Sequence, residues 1–196
     1  MNQTAPPLPR LAPPGAGIPW IERQIARLLI ASRFRGYTKA ATHARLGQEH
    51  DALRSLAETH AALGTRRVLI PRLRGLEDSS RFWSVFMTLD HLRIVNEGIA
   101  GVIAQLGRGE TPARRVSIAE VKPSPDADGS VLAAFSASCA ALSAAVDPIA
   151  DPRATPCHPH PWFGPFNAAQ WHAMAAFHMR LHHAQATAIL QRLGAA

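Results

Sequence analysis

The sequence predicts an all-α fold, a four-helix bundle with an extra N-terminal amphipathic helix and a proline-rich arm. Three observations carry that expectation. Segments 38–63, 79–106, 130–146 and 167–193 place apolar residues at helical spacing. Clusters of proline and glycine separate them. No stretch reads convincingly as a strand. With 196 residues, 47% of them hydrophobic, one core is expected. The domain is therefore placed at 20–196, its bundle at 38–193, and residues 1–19 form a flexible arm.

The arm is rich in proline, which opposes helix and sheet alike. In residues 20–35, Ile21, Ile25, Leu28 and Leu29 then recur at helical spacing, with Arg23 and Arg27 elsewhere on the wheel. So short a helix has few large apolar groups to hold lipid, so it is expected to pack on the bundle or a second subunit. Gly36 interrupts it, and Thr38 caps a longer helix to Leu63 whose buried stripe is Leu46, Leu53, Leu56 and Ala57. Gly64 ends that helix.

Asp78, Ser79 and Ser80 form an N-cap cluster, and the helix they open is apolar on most sides as far as Leu106, which makes it central. His91 shares a face there with Met87, Thr88 and Val95 and points into the bundle, while Gly98 and Gly101 would let a neighbouring backbone come close. Residues 108–128 carry three prolines and form an irregular crossover of a length that often bears on function. The small-residue helix 130–146 is too short to span a bilayer and uses Cys139 as a core residue. The loop 147–166 holds six prolines and the run Cys157-His158-Pro159-His160, read as a stiffened loop closing one end of the bundle. Asn167 with Gln170 resembles a capping box, and Trp171, Met174, Ala175, His178, His182, Gln185 and Ile189 make one stripe along the last helix.

Composition narrows the function. Two cysteines cannot build a disulfide scaffold, and the N-terminus lacks a signal-peptide pattern, so a cytoplasmic protein with no transmembrane segment is expected. The formal charge is +7, and residues 1–74 carry twelve basic against four acidic side chains. No nucleic-acid motif accompanies this excess, so it reads as a solvated basic face. The alternative it leaves is a non-catalytic binding protein whose basic N-terminal region contacts an anionic partner.

Chemistry concentrates on His178 and His182. Residues four apart lie ~40° apart around a helix, so both project from one face, whereas His183 is turned a further ~100° and cannot join them. His91 is the candidate third ligand, with His50 and His160 as outside candidates. Three neutral imidazoles with an open position suit zinc, nickel or iron, and not magnesium or calcium.

The pattern His178-x-x-x-His182-x-x-Gln185, with His91 closing the run Ser-Val-Phe-Met-Thr-Leu-Asp-His, resembles the DinB-like superfamily of metal-binding four-helix bundles over residues 38–193. The resemblance implies a divalent transition metal on His91, His178 and His182. The lead-in His160-Pro-Trp-Phe-Gly resembles a subgroup with a His-Pro-Phe-Phe-Gly-like loop. Many members have Arg-Gly where this chain has His183-Ala184, so contacts of that arginine do not carry over. What is implied is a metal-dependent hydrolase or thiol-dependent transferase acting on a small molecule, with a low-molecular-weight thiol as a co-substrate and a homodimer as its assembly.

Overall fold

The computed structural model describes residues 9–115 and 117–195. Five helices account for most of it: α1 (Trp20–Arg35), α2 (Lys39–Thr59), α3 (Val85–Gly107), α4 (Val131–Val146) and α5 (Ala168–Arg192). α3 packs against α4 and α5, and α2 against the same two, so α2 and α3 face each other across a diagonal of the four-helix bundle. α1 lies outside, against α5. No helix among the described residues is long and apolar enough to cross a membrane.

Local chemistry explains most boundaries. Thr38 accepts a hydrogen bond from the Ala41 amide and starts α2, and Asn167 and Gln170 form a reciprocal capping box at the start of α5. The core is built from the expected stripes: Leu53, Ala57, Leu92, Ile103, Phe135, Leu142, Ala175 and Ile189 are fully buried.

Four features depart from expectation. α3 starts at Val85, capped by Ser84, and not at residue 79. Asp78 and Ser79 spend their side chains elsewhere: Asp78 accepts from the Ala12 amide and from Arg81, and Ser79 donates to Glu77, leaving residues 78–80 as a single 3-10 turn. α2 stops at Thr59 and a 3-10 turn, Ala61–Leu63, follows. Gly64 is needed for space, since the Phe86 ring lies where its Cβ would stand. Gly98 and Gly101, by contrast, have open space at that position and permit no close helix approach.

A small antiparallel hairpin, β1 (His158–His160) and β2 (Gly164–Phe166), occurs where no strand was read. Pro159 and Pro165 sit opposite each other in it. Prolines, which donate nothing, fit an antiparallel ladder only at a pair that exchanges no hydrogen bonds, so their presence conceals the strands in the sequence.

The N-terminal segments also differ. The first eight residues of the expected arm lie outside the described residues. From residue 9 onward the arm has a defined course: the Gly15 and Gly17 amides donate to Glu77 Oε1 at 2.7 and 3.1 Å, and Ile18 is buried. α1 turns Ile30, Ala26 and Phe34 to the bundle and leaves its predicted apolar stripe outside, Ile21, Ile25, Leu28 and Leu29 being 53–73% exposed. Polar ties hold it there: Glu22 pairs with Arg72 at 2.6 Å, and Arg27 donates to the Trp162 carbonyl at 3.1 Å.

Candidate metal centre

The diagonal arrangement sets α3 beside α5, and their facing sides bring His91, His178 and His182 together. One ring nitrogen from each lies within 4.8 Å of the others. His178 Nε2 is 3.0 Å from His182 Nε2 and 3.3 Å from His91 Nε2. His183, as its helical position requires, points away and meets Glu49 at 2.8 Å.

The outer nitrogens decide what the inner ones can do. The Val121 carbonyl lies 2.6 Å from His91 Nδ1, which must therefore carry the proton, leaving a lone pair on Nε2. For His182 the argument runs through Gln185. Gln185 Nε2 donates to the Ser80 carbonyl at 2.7 Å, so Oε1 is the atom facing His182 Nδ1 at 2.6 Å. His182 Nδ1 is then the donor and its Nε2 also presents a lone pair. His178 Nε2 can give a proton to only one of these two acceptors, and its Nδ1 is buried without a partner.

Protonation does not resolve the crowding. Burial foremost, against the raising effect of the Val121 hydrogen bond, pushes His91 down to about 4. His178 and His182 are held well below the ordinary histidine range, again by burial first and then by the neighbouring imidazoles. The three rings are neutral at pH 7. Three ligand nitrogens about 2.1 Å from one cation at tetrahedral angles stand ~3.4 Å apart. The two spacings made by His178, 3.0 and 3.3 Å, are close to that and the third pair lies within 4.8 Å, so the donor set fits a metal ion.

Surrounding groups come from segments outside the helices. Trp83 stacks parallel to His182, centroids 6.1 Å apart, and lies 5.1 Å from His91. Lys122 Nζ sits 5.2 Å from the centroid of the Trp83 ring and is fully engaged by Glu77, Ser79 and Ser80 at 2.9, 2.7 and 3.2 Å. Sequence reading singled out Gln185 but missed Trp83, Val121 and Lys122. The one signal for the last two was the length of the crossover that carries them.

The outside candidates separate. His50 uses its two nitrogens on Asp51 and Ser136 and is not part of the cluster. His160 packs among Phe163, Phe166 and Trp171, close enough to His178 that a proton on one ring would oppose a proton on the other. Its Nδ1 accepts the Trp162 amide. Cys157 is exposed, and burial raises the Cys139 thiol to about 11, which removes it as a nucleophile at neutral pH.

Comparison with known proteins agrees with this geometry. The family model of the DinB superfamily matches residues 30–186. The chain belongs to the DinB superfamily. Members of the DinB superfamily often bind a divalent metal, and here the histidine triad could hold one. A crystal structure described as TT2238, a four-helix bundle protein, is similar at 26% identity and a TM-score of 0.53, covering 81% of this chain and 100% of its own. Among curated proteins none matches the sequence. The DinB match begins at Ile30, so it excludes the arm and most of α1.

Proposed function

We propose that this DinB-superfamily protein is a metal-dependent enzyme holding zinc, nickel or iron on Nε2 of His91, His178 and His182 and acting on a small molecule, by hydrolysis or by thiol-dependent transfer. The observation that carries this reading is the convergence of three neutral imidazoles, two with their lone pairs fixed inward by Val121 and Gln185. Such an ion, when bound, acidifies a coordinated water or thiol.

The chain's own residues orient and shield. Val121 and Gln185 hold the Nδ1 protons, and Trp83 covers one side of the triad. Asp90 is committed to Arg93 and the Ser124 amide, and Glu77 to Lys122 and the arm. Neither is free to act as a general base.

Cobalt substitution tests the proposal. One equivalent of Co(II) should give the visible bands of a low-coordinate nitrogen site, and a small thiol should add a sulfur-to-metal band in the near ultraviolet. Visible bands without a thiol response would select the hydrolytic form. The absence of visible bands would end the reading.

A further inference from the structure

α1 carries a face that nothing among the described residues covers. Trp20, Ile21, Ile25, Leu28 and Leu29 are 65, 66, 53, 73 and 57% exposed, and among the described residues only Leu69 joins them as an exposed large apolar side chain. Scattered exposed apolar residues are ordinary, but five within about three turns of one helix are not. α1 could have turned this stripe inward, since it already lies against α5. It turns Ile30 and Phe34 in instead and is tied down by Glu22 and Arg27. The outward stripe is therefore a consequence of how the helix is anchored.

Beside the stripe lies a groove of about 620 Å³ between α1, α2 and α5, whose lining mixes Leu29 and Phe177 with the polar Arg33, Arg45, Gln48 and Arg180. Leu29 belongs to both features. A ridge beside a groove permits an isologous pairing, in which rotation about a two-fold axis brings each ridge to the other copy's groove.

We propose that α1 is the dimer interface, its Trp20–Leu29 ridge seated against the α1, α2 and α5 groove of a second copy of this chain. Area supports that occupant. A large apolar or aromatic side chain offers roughly 150–250 Å², so five at these exposures present about 600 Å². A stable interface takes about 800 Å² from each partner, and the groove walls supply the difference. Polarity argues against a lipid surface: on the helical wheel Gln24 and Ser32 fall within the stripe, where lipid offers no hydrogen-bond partner and a protein groove does. The ridge precedes the segment matched by the DinB model, which makes this interface a feature of this chain's own N-terminal extension. It is independent of the metal site, since the groove uses the side of α5 away from His178 and His182.

Sedimentation velocity of the full chain, with Ile25→Asp and Leu28→Asp tested separately, decides the matter. Both positions are exposed, so thermal melting should show folded variants. The expected result is a species of twice 21.1 kDa for the unaltered chain at micromolar concentration, with dissociation at least 100-fold weaker in each variant. A monomer at 100 µM, or a dimer indifferent to both substitutions, overturns the proposal. So does a monomer that floats with phosphatidylglycerol vesicles and loses that binding in Leu28→Asp, which would make an anionic bilayer the occupant.

Discussion

Gln185 spans two segments far apart in the chain: its amide nitrogen holds the Ser80 carbonyl at 2.7 Å and its oxygen holds His182 Nδ1 at 2.6 Å. One side chain thus fixes both the tautomer of a candidate ligand and the position of the turn beneath Trp83. A hydrogen bond outside the ligand ring is what converts a pair of helix-borne histidines into an oriented donor set.

Replacing Gln185 by Leu should therefore weaken metal binding about 10- to 100-fold, with all three histidines still present. Chelator competition would measure it. The same change leaves the buried Ser80 carbonyl without its donor, so a loss of about 1–3 kcal/mol of stability should accompany it. Unchanged affinity would mean that His182 is oriented by packing alone.

Glu77 joins the arm to the wall of the site. Burial pulls its carboxyl upward, but hydrogen bonds from Ser79, Lys122 and the Gly17 amide outweigh that and leave it below the ordinary carboxylate range. Glu77→Gln keeps the size but removes the charge facing Lys122. About 1.5–3 kcal/mol of stability should be lost in urea unfolding. Limited proteolysis should begin to cut within residues 9–19, where the Gly15 and Gly17 amides would meet a neutral amide oxygen in place of the Glu77 carboxylate.

A buried histidine outside the triad sets a pH dependence unrelated to metal. His172 is fully buried, 3.1 Å from the Tyr37 hydroxyl, and burial first, then His43 and Lys39, lowers it to about 3. In the unfolded chain a histidine titrates near 6.5. Between those values only the unfolded state takes up the proton, so this contribution is complete above pH 6.5 and is lost progressively as pH falls toward 3. The slope from this one group approaches ~1.4 kcal/mol per pH unit. His172→Phe should flatten the fall in urea stability between pH 6.5 and 4.5 relative to the parent, whatever its effect at pH 7.5.

The elements legible in the sequence were those written in local chemistry. Thr38, Asn167 and Gln170 announce helix starts because a cap acts within four residues, and the α5 stripe placed His178, His182 and Gln185 on one side because helical geometry is periodic. Elements set by distant partners were not legible. Asp78 looks like a cap but bonds an amide 66 residues away. The apolar pattern of α1 identified an amphipathic helix, yet periodicity alone does not say whether the apolar side meets this chain or another. At the metal centre the histidines were visible, whereas Val121 acts through its carbonyl, which every residue possesses. Trp83 matters only because residues 81–83 bond back to 68–70 and hold it over His182.

Elemental analysis of the purified full chain, beside His91→Ala, tests the central claim most directly. The account predicts close to one equivalent of a divalent transition metal per chain. In His91→Ala, which removes the ligand from α3 and leaves the α5 pair, it predicts a metal content at least tenfold lower after dialysis against a weak chelator, with the helical circular dichroism retained. A folded parent protein that takes up no stoichiometric zinc, nickel or iron, or a His91→Ala protein that holds as much metal as the parent, would contradict it.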